Sequence, residues 1–232
     1  MALCLAPDVD KLVEAKLVAP DWNRDEFDGL VSKSVVVLAV RKGNPKNIRT
    51  WDDLVEPGVE VITPNPLTSG GARWNVMAAY GAAERDGGDG LAYLRKLFAN
   101  VAVQDKSARE SLQTFVAGKG DVLLAYENEA ITARQKGEDL DYVVPDDTIL
   151  IENPIAVTTG SKHPEKAKAL LEYLRGPEAQ KVFAEKGYRS VRDELVDPAR
   201  YPAPSGLFTI EEAGGWDKAK EVVDAIAEFS PR

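Results

Sequence analysis

Cysteine and histidine are almost absent from this sequence, and their scarcity excludes several kinds of site. The chain of 232 residues has one cysteine, Cys4, and one histidine, His163. A single cysteine cannot close an intramolecular disulfide. One cysteine and one histidine are too few for the common zinc sites, and they provide no credible serine–histidine triad. Cys4 lies in the apolar run Ala2–Ala6, which predicts a small, buried strand residue, with a reactive thiol as the alternative.

Positive charge is outnumbered by negative charge. The chain has 29 Lys and Arg against 38 Asp and Glu, a formal net charge of −9. Nucleic acid and anionic membranes are bound by basic surfaces, so neither is an expected partner. No stretch approaches the roughly 18 apolar residues of a membrane helix, and the start shows no signal-peptide features. An anionic ligand would have to be attracted by local dipoles against this negative net charge. Such attraction is possible at short range, because salt screens the charges that lie more than roughly 10 Å away.

Strand and helix patterns alternate along the chain, which predicts an α/β fold with largely parallel sheets. The length allows one large domain or two lobes. The extended apolar segments 35–40 and 151–158 are long enough to cross between lobes. The predicted division assigns residues 1–40 to lobe I, 41–149 to lobe II, and 150–232 to lobe I with the C-terminal helices. A cleft between lobes is a frequent place for small ligands.

One candidate anion site follows a predicted strand and opens a predicted helix. Ser69 is placed as the N-cap, and Gly70 and Gly71 occupy the first helical positions. Their N–H groups have no intrahelical acceptor, glycine leaves them uncovered, and the helix dipole is positive at this end. Together these features favour an anion site. A plain capped turn is the alternative.

Two further stretches could contribute to the same site. The start of a helix at Lys106–Arg109 provides backbone N–H groups, although an ordinary helix N-terminus is the alternative. Tyr126 follows an apolar run at the carboxyl end of a predicted strand, where α/β proteins bind ligands; a packing role is equally compatible. Glu127 and Glu129, two positions apart, do not face each other on a helix and are interpreted as capping or solvated charges.

Several long motifs occur in order along nearly the whole chain. They are Val37–Lys46, Ile62–Pro66 with Thr68–Asn75, Gly120–Leu123 with Glu127–Ala130, Gly187–Arg189, Leu207–Ile210 and Gly214–Trp216. Together they resemble the sulfate- and thiosulfate-binding proteins of ABC importers. The resemblance implies a two-lobed, type II (Venus-flytrap) periplasmic-binding-protein fold with mixed sheets. It also implies a periplasmic or cell-surface location, an ABC permease as partner and no cofactor.

The resemblance also implies which residues bind the anion. The family's serine and two glycines correspond to Ser69, Gly70 and Gly71, and the alanine that donates its N–H corresponds to Ala108. Tyr126 occupies the position of an indole N–H donor. This is a departure, because a phenol can accept a hydrogen bond as well as donate one.

By the same resemblance, the chain lacks the family's N-terminal βαβ unit, which carries two further ligand contacts. Leu3–Ala6 would then be a buried strand without its parallel neighbour, and unpaired edges favour association with another chain. We therefore expect the chain either to self-associate through the incomplete lobe or to be only marginally folded there, and to bind sulfate more weakly than an intact homologue. The alternatives are a non-binding remnant or interaction protein, and, less favoured, an enzyme acting on sulfated or phosphorylated metabolites.

Overall fold

The chain forms two units in its computed structural model, which describes residues 1–3 and 5–229. Unit 1 comprises Met1–Ser34 and Ile151–Pro202, and unit 2 comprises Val35–Leu150 and Ala203–Arg232. Cys4 lies outside the described residues, so the burial of its side chain stays a prediction.

Strands alternate with helices through the described residues, which confirms the predicted α/β class. The strands are β1 (Ala2–Leu3), β2 (Leu30–Arg41), β3 (Val61–Pro64), β4 (Val101–Asp105), β5 (Val122–Tyr126), β6 (Leu140–Val143), β7 (Asp147–Ala156) and β8 (Gly206–Phe208). The helices are α1 (Ala6–Glu14), α2 (Gly70–Arg85), α3 (Gly90–Ala99), α4 (Ala108–Val116), α5 (Glu127–Gln135), α6 (Pro164–Arg175), α7 (Pro177–Glu185) and α8 (Gly215–Phe229). Within the described residues, none of these helices has the length and hydropathy to cross a membrane.

The sheet of unit 2 is mixed, as the family resemblance implied, and not largely parallel, as the alternation of strands and helices predicted. Strand β3 lies between β4 and β5 and is parallel to both. The second half of β2 pairs antiparallel with β5 and with β6. Residues 35–40 of β2 are at most 1% exposed, since a central strand is covered on both faces. This explains why residues 35–40 form a continuous apolar segment in the sequence.

The C-terminal residues belong to unit 2, which differs from the predicted division. Strand β8 pairs in parallel with the start of β7, with Gly206 opposite Asp147. Helix α8 packs against α2 and α3, and the rings of Trp74 and Trp216 meet edge to face with centroids 4.9 Å apart. The prediction placed residues 150–232 together because a sequence pattern does not reveal which distant helix α8 will contact.

The start of unit 1 also differs from the prediction. Strand β1 ends at Leu3 and pairs antiparallel with the end of β7, whereas the sequence predicted a strand through Ala6 with a parallel neighbour. Helix α1 begins at Ala6 and has a proline in its first turn. Proline is compatible with the first turn, because the N–H groups there have no acceptor within the helix. Helix α1 ends at Glu14, two residues before Lys16, which adopts a left-handed φ of 59°.

A buried arginine holds several segments of unit 1 together. Arg175 is 6% exposed; its Nε donates to the carbonyl of Leu30 at 2.8 Å and its Nη1 to Asp25 Oδ2 at 2.7 Å. Burial alone would raise the pKa of Asp25, but the N–H groups of Gly29 and Phe27, together with the Arg175 guanidinium, lower it below its usual value. The carboxylate is thus stabilised in its charged form.

Candidate functional site

Three helices of unit 2 begin at the same edge of its sheet. Adjacent strands β4, β3 and β5 are parallel, so their carboxyl ends lie on one side. Each strand is followed by a helix: α4 after β4, α2 after β3 and α5 after β5. The positive ends of three helix dipoles are therefore at this edge, where α/β sheets bind ligands.

The first of these helix ends contains the predicted Ser-Gly-Gly site. Ser69 has extended backbone angles and its Oγ accepts the N–H of Ala72 at 3.4 Å, which confirms it as the N-cap of α2. The amides of Gly70 and Gly71 stand in the first helical turn, before any intrahelical acceptor is available. Gly70 is exposed and Gly71 is half-buried. These two N–H groups are the donors that α2 offers.

Two hydrogen bonds hold the start of α4 beside the loop that precedes α2. The N–H of Asn65 donates to the carbonyl of Asp105 at 2.8 Å, and Thr68 Oγ1 donates to the carbonyl of Lys106 at 3.0 Å. Because the last residues of β3 and β4 are partners in register, both loops leave the sheet together. The sequence analysis did not identify the Thr68 contact, since a threonine in a loop carries no signal of its distant acceptor.

Helix α4 begins at Ala108 with Ser107 as its N-cap, and two side-chain hydrogen bonds close this end of the helix. Ser107 Oγ accepts the N–H of Glu110 at 3.3 Å, and Glu110 Oε2 accepts the N–H of Lys106 at 3.1 Å. Ser-x-x-Glu is the sequence pattern of a capping box, but here the glutamate accepts the N–H of the residue before the N-cap. The serine cap itself could have been predicted from the sequence. Ala108 is half-buried.

Tyr126 reaches the Ser-Gly-Gly loop from the third strand. It is the last residue of β5 and is half-buried. A Cβ placed on Gly71 would lie 3.5 Å from Tyr126 Oη and 3.6 Å from Ser69 Oγ. The structure therefore brings Ser69, Gly71 and Tyr126 together around one small space.

The hydroxyl of Tyr126 is neutral. Burial, and after it the nearby carboxylate of Glu129, raise the pKa of Tyr126 well above its usual value. Glu129 Oε2 accepts the Tyr126 backbone N–H at 3.1 Å, which confirms a capping role for this acid; burial raises the pKa of Glu129, and this hydrogen bond opposes the rise. Glu127 is fully buried and is therefore not the solvated charge that was one of its two predicted roles.

The chemistry available at this edge is hydrogen-bond donation from neutral groups. Within residues 1–3 and 5–229, no cluster of three or more His, Cys, Asp and Glu is arranged to hold a metal ion. Backbone N–H groups at helix N-termini and a phenolic O–H favour an anion by dipole and donor geometry rather than by a full positive charge. This arrangement suits an anion in a chain with a net charge of −9.

Comparison with known proteins gives the family. The family described as bacterial extracellular solute-binding protein matches residues 4–189. The chain belongs to this family. Its relatives include the sulfate-binding protein of Escherichia coli K12, which is 43% identical over 237 residues that cover 95% of this chain and 71% of the relative. A second, the sulfate-binding protein of Synechococcus elongatus, is 42% identical and is matched over 95% of this chain and 66% of its own length.

A solved structure extends the similarity to the fold of this solute-binding protein. The sulfate-binding protein SubI from Mycobacterium tuberculosis is 41% identical, with a TM-score of 0.86 over 94% of this chain and 78% of that one. The predicted periplasmic-binding-protein fold class is thereby confirmed. The chain spans about two thirds of the length of the two curated relatives, 66% and 71%.

Proposed function

We propose that this solute-binding protein binds sulfate, or the related anion thiosulfate, at Ser69, Gly70, Gly71, Ala108 and Tyr126. The observation that carries the proposal is the meeting of the α2 start with the Tyr126 hydroxyl, 3.5 Å from the Cβ position of Gly71. The names of the relatives agree with this ligand class.

Selection for sulfate follows from the kind of groups at the site. Sulfate is fully ionised at neutral pH and only accepts hydrogen bonds, whereas hydrogen phosphate carries a proton that needs an acceptor. A pocket of donors leaves that proton unpaired, at a cost of roughly 1–3 kcal/mol. Tyr126 relaxes this rule, because its hydroxyl oxygen can also accept. We therefore expect sulfate to bind more tightly than phosphate.

The proposed role is that of a receptor and not of an enzyme. A receptor of this family works outside the cytoplasm, in the periplasm or at the cell surface, and would deliver its anion to the permease of an ABC importer. Self-association through lobe I stays a prediction, and light scattering over a concentration series tests it.

Titration calorimetry with sulfate, thiosulfate and phosphate tests the proposal. We expect heat of binding with sulfate and at least tenfold weaker binding of phosphate, which corresponds to about 1.4 kcal/mol. Replacing Tyr126 by Phe should weaken sulfate binding by about 1.5–3 kcal/mol, the value of one hydrogen bond to a charged group.

Tyr93→Phe is the matched control, since the Tyr93 hydroxyl donates to the carbonyl of Trp51 at 2.6 Å, away from Ser69–Gly71. This variant should cost stability but leave the affinity unchanged. No sulfate binding by the parent chain would refute the proposal. Equal affinities for parent and Tyr126→Phe would remove only this residue from the site.

A further inference from the structure

Arg41, the last residue of β2, uses its whole guanidinium on backbone carbonyls. Its Nε donates to the carbonyl of Gly120 at 2.9 Å, and its Nη1 donates to that of Phe115 at 2.7 Å. Its Nη2 donates to Gly120 at 2.6 Å and also contacts the carbonyl of Lys119. The planar fork of arginine makes such a set possible, whereas a lysine ammonium cannot reproduce its geometry.

These carbonyls mark the junction between two elements of the candidate site. Phe115 is in the last turn of α4, and Gly120 stands two residues before β5 begins. Helix C-termini have unpaired carbonyls and a negative dipole end, which a cation there stabilises. Arg41 therefore joins the end of α4 to the start of β5.

The same guanidinium is fixed by packing. It lies 3.9 Å from the centroid of the Phe115 ring. Phe115 is fully buried in the core of unit 2, in one cluster with Ile62 of β3 and Leu123 of β5. The connection also contains two glycines with left-handed φ, Gly118 at 99° and Gly120 at 68°, so the carbonyls are presented by an unusual turn. A Cβ on Gly120 would approach Ile62 to 2.8 Å.

We propose that Arg41 is a positioning residue for the anion site, holding α4 and β5 in register at one end so that Ala108 and Tyr126 are aligned at the other. This inference depends on the proposed anion site. Helix α4 has nine residues and is therefore about 13 Å long. A short, rigid helix transmits an axial shift to its first residue, so loosening the Arg41 end displaces the Ala108 N–H.

The test compares Arg41→Gln and Arg41→Lys with the same changes at Arg175. Both arginines donate to backbone carbonyls, but Arg175 lies in unit 1 and contacts Leu30 and Asp25. Sulfate affinity is measured by calorimetry at a temperature where circular dichroism shows each variant folded. We expect about five- to tenfold weaker binding for Arg41→Gln, in the range of coupling carried by neighbouring side chains. Arg41→Lys should recover part of this loss, and the Arg175 variants should bind within twofold of the parent.

Hydrogen exchange gives a readout that a general loss of stability does not share. In the Arg41 variants, amides of residues 107–111 and 126–128 should exchange faster, while in the Arg175 variants they should exchange as in the parent. Folded Arg41 variants that bind sulfate like the parent would overturn the inference and leave the proposed function intact. Equal losses of affinity in the Arg41 and Arg175 variants would also overturn it. A parent chain that does not bind sulfate would overturn both.

Discussion

Replacing Gly71 by alanine places a single methyl group between Ser69 and Tyr126 in the candidate site. The added Cβ would meet Tyr126 Oη at 3.5 Å, Ser69 Oγ at 3.6 Å and Tyr126 Cζ at 3.7 Å. All three are ordinary van der Waals contacts, so the protein should fold without displacing either side chain. The methyl group would nevertheless fill the space in which an anion has to reach the Gly71 N–H and the phenol.

The expected changes in stability and affinity have opposite signs. Gly71 lies in the first turn of α2, and Gly→Ala at a compatible position stabilises a protein by about 0.4–1 kcal/mol through the unfolded state. A hydrogen bond to a charged group contributes about 1.5–3 kcal/mol. Loss of one such bond should weaken sulfate binding about 10- to 150-fold. The variant should therefore melt slightly higher and bind much more weakly.

Thermal denaturation and calorimetry on the same preparations provide both values. Gly160→Ala is the control, because a Cβ there meets nothing within 4 Å and the residue lies in unit 1. It should leave the affinity unchanged. If Gly71→Ala binds sulfate as tightly as the parent, the anion does not approach this face of α2 and the assignment of the site is wrong.

Three further results are expected. Gly70→Val should weaken sulfate binding by covering the first donors of α2 while the circular dichroism spectrum stays that of the parent; an unchanged affinity would remove this glycine from the site. Sulfate affinity should be flat from about pH 7 to 9, because sulfate stays ionised and the raised pKa of Tyr126 keeps its donor protonated; a fall in affinity near pH 9 would contradict this. Asp25→Asn should lower the melting temperature at pH 7, and the difference from the parent should shrink as the pH falls below about 4. The lowered pKa of Asp25 gives stability that is present above its unfolded value and is lost as the carboxylate is protonated in the folded state; a pH-independent difference would show that its charge is not what Arg175 recognises.

The sequence by itself determined most of the local structure. The pattern of apolar runs and caps predicted the start of α2 after Ser69, the start of α4 within Lys106–Arg109 and the end of β5 at Tyr126, and all three are observed. Helix periodicity, serine caps and apolar runs act over a few neighbouring positions. Ser69 as an N-cap is of this kind: its Oγ bonds an amide only three residues away. The family motifs likewise indicated the fold class without reference to any tertiary contact.

Tertiary structure alone decided which of these local features meet. The strand order places β3 between β4 and β5, and only this order brings Gly71 against the Tyr126 hydroxyl and Thr68 onto the carbonyl of Lys106. It also assigned the C-terminal helix to unit 2 and gave Arg41 its three carbonyl partners. These contacts join segments far apart in the chain. Their formation depends on the packing and hydrogen bonding of whole elements, which propensities over a few residues do not encode.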